Sequence, residues 1–201
     1  MSRARNLERI VTGVVRQALE DAGADGIVLA DDGSAEADLL AGWFSRAFGT
    51  RFHRVPGAGP DGAAKLQDAR ARAQQLAAAQ SLLPAAPINK TTLLLALLPV
   101  PETLLPLGDL YATEVRELAG DWRGAPIVYT LKGLCGGIEV LDEALRARFD
   151  ERQPLPAVLS RLPEPARQPL AQALERGRFA RNRVGIVPKI GSRTAGIDLF
   201  A

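Results

Sequence analysis

Two short polar stretches stand where an α/β protein does chemistry. They are Asp31-Asp32-Gly33-Ser34, directly after the apolar run GIVLA, and Asn89-Lys90-Thr91-Thr92, directly before a run of leucines. Acid, glycine and hydroxyl between a strand and a helix make a capped helix start, with Asp32 as the expected N-cap acceptor. The same backbone, without a competing carboxylate, is a cradle for phosphate, because helix N-terminal N–H groups and the helix dipole favour an anion. Asn89 and Lys90 read in the same two ways, as a capped helix start or as a ligand site. Positions 176–193 hold five arginines and Lys189 with no acid. Guanidinium pairs bidentately with phosphate, so Arg181, Arg183 and Lys189 are candidates to face an anion. Only Phe179 is there to stack on a base, which argues against nucleic acid. Arg70 and Arg72 fit a solvated helix face. Cys135 fits a small packed residue in a Gly-rich turn, and His53 a structural strand position.

The elements that must position these residues follow from hydrophobic spacing. Leu7, Ile10, Val11, Val14, Val15, Ala18 and Leu19 recur at intervals of three and four, which predicts a helix ended by Gly23 and Gly26. The stretch 26–30 has the composition of a parallel strand buried on both faces. Leu39, Leu40, Trp43, Phe44, Ala47 and Phe48 predict the next helix, and 51–55 the next strand. This β-α-β order implies a right-handed crossover. Further helices are expected at 63–80, 89–98, 110–119 and 138–149, and a short strand at 81–83. The stretch 154–169 carries too many prolines for a core element. No repeat of fixed period is present. One α/β domain over residues 1–201 is expected, a Rossmann-like parallel sheet with helices on both faces. Ligands in such sheets bind outside the carboxyl ends of the strands, which places 31–37 and 86–92 together at the site.

Composition narrows the functions. A single cysteine forbids an intrachain disulfide, and one cysteine with one histidine cannot build a Cys/His zinc cluster. Catalysis by a Cys/His or Ser/His pair is disfavoured for the same reason. The longest apolar run, 91–100, contains Pro99 and falls short of the roughly 20 residues of a membrane span. No secretory leader pattern opens the chain, so a cytoplasmic protein without membrane partners is expected. A formal net charge of +2 is too small to make the whole surface a polyanion platform.

Asn89-Lys90-Thr91-Thr92, followed by PLGDLYATEVREL over 106–118, resembles the core of the NAD synthetases, which read GTxNKSE and then PIGDLYKTQVREL. Other stretches fall in the family's order. GIVLADDGSAEADLLAGWFSRAFG is similar, without gaps, to the pyrophosphatase loop GVVLGLSGGxDSxLVAxLAxxALG. KLQDARAR over 65–72 resembles NLQARxR, 132–138 sits where the family has KxPSAxL, and KIGSRTAG over 189–196 resembles KVSSRAFG. The chain carries four lysines against twenty-one arginines, yet Lys90, Lys132 and Lys189 each fall at a family lysine. About one β-α unit of the family pattern is missing between Val55 and Lys65.

The resemblance implies an adenine-nucleotide alpha-hydrolase-like fold, a homodimer, and ATP- and magnesium-dependent amidation of deamido-NAD. It also implies roles for single residues. Asp32, Gly33, Ser34 and Glu36 align with the loop SGGxDS, and Pro87 with the loop threonine that meets the nucleotide. Arg70, Arg72, Asn89, Lys90, Lys132, Arg181, Arg183 and Lys189 fall on the dinucleotide side. Glu36 can replace the loop aspartate on magnesium, whereas Thr92 replaces a glutamate and is a poor ligand for a hard dication. An acid at 32 opposes a phosphate, since like charges about 4 Å apart repel by roughly 4 kcal/mol at an effective dielectric near 20. Three functions are therefore expected in order. The first is a degenerate, shortened synthetase-like protein with ATP-driven amidation weakened or lost, and nucleotide or dinucleotide binding retained. The second is an active NAD synthetase using ATP and magnesium. The third is an anion- or nucleic-acid-binding module using the basic tail.

Overall fold

The computed structural model describes residues 3–95, 103–120, 126–181 and 187, with side chains described for all of these but 126 and 178–181. Helix α1 (Arg3–Ala22) buries Leu7, Val11, Val15 and Leu19, the inner part of the stripe expected from spacing. Strand β1 (Gly26–Asp31) follows and is buried along its whole length. Helix α2 (Ala35–Phe48), strand β2 (Phe52–Pro56), helix α3 (Gly62–Gln80) and strand β3 (Leu82–Ala85) complete the sheet region. Both β2 and β3 pair parallel to β1, in the order β2-β1-β3. The backbone just ahead of β2 approaches β1 closely at Gly26, where a Cβ would stand 2.3 Å from the Arg51 carbonyl oxygen. The sheet is carried one bridge further where Leu104 N–H donates to the Pro84 carbonyl (2.8 Å) and Ala86 N–H to the Leu104 carbonyl (3.0 Å).

Alternation along β1 divides the core. Ile27 and Leu29 join the larger cluster with residues of α1 and α2, among them Val11, Val15, Leu40 and Phe44. Val28 and Ala30 face the other way, onto Val55 and the alanines 69, 73 and 77 of α3. Helices thus cover both faces of a parallel α/β sheet, as the strand composition led one to expect. The third strand begins at 82, one residue later than expected, because Ser81 takes a left-handed φ of 51° and donates its N–H to Ala77, closing α3.

The remaining helices are α4 (Lys90–Leu95), α5 (Ala112–Ala119), α6 (Pro126–Cys135), α7 (Ile138–Phe149), α8 (Leu155–Ser160) and α9 (Glu164–Arg181). Positions 96–98, expected to continue the helix from Asn89, lie outside the described residues. Two sequence expectations need correction. Cys135 ends helix α6 instead of sitting in a glycine turn, and it is buried as expected. The proline-rich 154–169 forms α8 and the start of α9, and it buries Val158, Leu162 and Ala166. Pro154, Pro156, Pro163 and Pro165 sit at helix starts, where a missing N–H costs nothing, and only Pro169 is interior. Among the described residues no helix is long and apolar enough to cross a membrane.

Candidate functional site

The chain leaves β1 for β2 on one side and later returns to β3 on the other. An open α/β sheet of this order has its crevice between the carboxyl ends of β1 and β3. The two polar stretches stand at those ends. They are joined directly, since the Asn89 amide Nδ2 donates to Glu36 Oε1 at 3.1 Å, with both residues at most 2% exposed.

The β1 loop is closed by its own side chains. Gly33, at a φ of 75°, turns the backbone so that its N–H donates to Asp31 Oδ1 at 2.8 Å. Ser34 N–H donates to Asp32 Oδ1 at 3.0 Å, and Ala37 N–H donates to Ser34 Oγ at 3.2 Å. Ser34, and not Asp32, is therefore the N-cap of α2. A cap must be the extended residue immediately before the first helical one, and Ser34 (φ −80°, ψ 161°) holds that place. Burial pushes the Asp32 carboxyl above the usual carboxylate range, against the lowering effect of the Ser34 hydrogen bonds. Asp31 is 8% exposed and uses both oxygens, since Arg54 Nε donates to its Oδ2 at 2.6 Å. Arg54 Nη2 reaches on to Asp38 at 2.6 Å. The register explains the meeting: Leu29 pairs with Arg54 and Asp31 with Pro56, so Asp31 and Arg54 are diagonal neighbours on one face.

On the β3 side Pro87 is buried in a tight turn, with Ile88 N–H donating to the Ala86 carbonyl at 3.0 Å. Asn89 caps α4, its Oδ1 accepting from Thr92 N–H at 2.8 Å. Lys90 is 3% exposed, with Nζ 2.7 Å from Asp150 Oδ1 and 4.7 Å from the centroid of the Tyr111 ring. The Tyr111 hydroxyl donates to the other Asp150 oxygen at 3.0 Å, and Arg146 lies over the same ring at 4.4 Å. Burial first, and the Asp150 charge second, hold the Tyr111 phenol well above its ordinary value. At the next residue, Thr91 Oγ1 donates to Asp142 at 2.5 Å and accepts from Ala112 N–H at 2.9 Å, while Thr113 N–H donates to Asp142 at 2.8 Å. Burial raises the Asp142 carboxyl. Asp142 of α7 and Asp150, the residue that closes α7, thus both tie α4 to the start of α5.

The other expected contacts are more scattered. Arg70 is half-buried on α3, and burial lowers its guanidinium. Arg72 donates to the Pro56 carbonyl at 2.7 Å, beside Asp68 at 3.7 Å, and so sits at the end of β2. Lys132 is in the last turn of α6, 6.0 Å from the Tyr129 ring centroid. The side chain of Arg181, with Arg183 and Lys189, lies outside the described residues. Sequence reasoning named neither Arg54 nor Asp150; their partners are 23 and 60 positions away, a distance no local pattern spans.

ATP and magnesium do not fit these residues as they stand. The cradle N–H groups of 33, 34 and 37 have internal acceptors, and the Asn89 Oδ1 is taken by Thr92. Among the described residues no group of three or more His, Cys, Asp or Glu side chains could hold a metal ion. Of the aligned carboxylates, the resemblance gives only Glu36 a place on magnesium.

No protein-family model matches the chain, and no curated protein matches it. Its structure is similar to the NH3-dependent NAD synthetase of Campylobacter jejuni in complex with nitrate ion. The TM-score is 0.61 at 16% identity, over 90% of this chain and 96% of that one. A glutamine-dependent NAD+ synthetase of Acinetobacter baumannii in complex with ADP gives a TM-score of 0.47 at 17% identity, over 98% of this chain and 49% of that one. By the likeness to the Campylobacter protein, reached over nearly the whole of both chains, this chain has the fold of an NAD synthetase.

Proposed function

We propose that this protein is an NAD-synthetase-like protein in which ATP-dependent amidation of deamido-NAD is weakened or lost, while a nucleotide or dinucleotide site is retained. One observation carries the reading: the N–H groups of Gly33, Ser34 and Ala37 donate to Asp31, Asp32 and Ser34. A triphosphate at this place would have to displace two carboxylates tethered to the same loop. Adenylation then lacks the donors that would stabilise developing charge. The dinucleotide side keeps the cations Arg72, exposed, and Arg70 and Lys132, both half-buried. Lys90 serves that side indirectly, by fixing Asn89 through its pair with Asp150. A homodimer in the cytoplasm belongs to the same reading, by likeness to the family.

The test is a mixture of purified protein with ATP, magnesium, deamido-NAD and ammonia, followed for AMP and NAD. No product above background is expected. In separate calorimetric titrations, deamido-NAD gives a binding isotherm and ATP does not. Formation of NAD at a rate typical of working enzymes, about 1 s⁻¹ or more, would restore the alternative of an active synthetase.

A further inference from the structure

We infer that Asp31 and Asp32 are a built-in substitute for an anion, filling the N–H cradle ahead of α2, and that Arg54 holds Asp31 in place. The inference deepens the functional reading above and rests on it. Three observations meet at the loop. Each carboxylate accepts one cradle N–H, Gly33 to Asp31 at 2.8 Å and Ser34 to Asp32 at 3.0 Å. Arg54 comes from a different element, β2, and ties the strand end to the first turn of α2 through Asp31 and Asp38, both at 2.6 Å. The backbone around them keeps its shape independently, because Gly57 N–H donates to the Asp31 carbonyl at 2.8 Å and Asp38 N–H to the Ser34 carbonyl at 3.1 Å. The cradle is thus formed but occupied.

Tethering decides the competition. A side chain one residue or two from its donors acts at an effective concentration of about millimolar or higher. A free phosphoanion must exceed that and also approach two like charges. Arg54, which could serve an external anion by its planar fork, is already divided between two carboxylates. Phosphate exclusion therefore depends on two side chains, and it is reversible by substitution at those side chains.

The experiment titrates inorganic pyrophosphate, without metal or nucleotide, into the full chain and into the variants Asp32→Ala, Asp32→Asn and D31A/D32A. Calorimetry reads affinity, and backbone amide NMR shifts at 33, 34 and 37 read the place. Near-ultraviolet circular dichroism of the buried Trp43 checks the fold. Asp32→Ala is expected to bind several-fold tighter than the unaltered chain, and D31A/D32A about tenfold tighter or more, or about 1.4 kcal/mol. Asp32→Asn keeps an acceptor for Ser34 N–H but loses the charge, so its gain falls between the unaltered chain and Asp32→Ala. Equal affinity for the unaltered chain and the alanine variants overturns the inference, as does a gain in Asp32→Asn matching that of Asp32→Ala. If D31A/D32A does not fold, Asp32→Ala decides alone, and no gain there overturns it. No turnover enters this measurement. The functional reading can therefore fail, by NAD formation, while the filled cradle stands, and the reverse outcome is equally visible.

Discussion

Asp32 has two opposing influences on one carboxyl group. Burial raises its proton affinity, and the Ser34 hydrogen bonds lower it by less. A carboxyl whose folded value lies above its unfolded value of about 3.9 holds its proton more tightly when folded. The folded state then loses stability as pH rises from the unfolded value through the folded one. At neutral pH the charge on Asp32 is therefore a net cost. Asp32→Asn keeps the acceptor for Ser34 N–H and cannot ionise. Urea denaturation at a series of pH values should find this variant more stable than the unaltered chain at pH 7. The advantage should disappear below about pH 4. A difference that stays constant across the series would contradict the burial argument. Asp142, raised for the same reason, is present in both proteins and cancels from the comparison. At this scale the sequence showed that the loop was acidic, but it assigned the cap to the wrong residue. Asp and Ser are near-equal caps, and only the φ of Gly33 puts Ser34 next to the first helical position.

Elements were most legible where spacing repeats over many residues. Helix α7 (Ile138–Phe149) and α3 (Gly62–Gln80) fall within one residue of expectation, and β1 was recognisable as a strand buried on both faces. The largest failure has its physical origin in proline. Counting prolines over 154–169 hid their positions, which are at helix starts except for Pro169. Inside α9 that residue withholds one backbone N–H and crowds the preceding turn. Alanine is favoured there by about 3 kcal/mol of helix propensity, less about 0.4 to 1 kcal/mol from a more flexible unfolded chain. Relaxation of the helix around Pro169 takes up part of the remainder. Pro169→Ala should therefore stabilise the protein by about 1 kcal/mol or more, read from the denaturation midpoint at unchanged slope. A destabilised variant would mean that the local geometry Pro169 imposes is what α9 needs to bury Leu170, Ala173 and Leu174.

At the scale of the molecule, one apolar cluster runs from Leu7 in α1 to Leu174 in α9 and takes in Ile27 and Leu29 of β1. Chains sharing one such core unfold as a unit. Thermal unfolding should accordingly give a single transition with equal calorimetric and van't Hoff enthalpies, and two separate transitions would divide residues 1–201 into more than one domain. The amino-acid sequence by itself determined the kind of layer structure, through periods of two and near four, and the motif order that resembles the NAD synthetases. It also determined that an acid stands in the loop after β1. The tertiary structure alone decided what that acid does. Asp31 meets Arg54 because parallel pairing sets Leu29 against Arg54, and Lys90 meets Asp150 because α7 packs its end against α4. Hydrophobic periodicity is a local property, legible within one helix or strand. Ion pairs between positions 23 and 60 apart exist only once register and packing have placed the backbones.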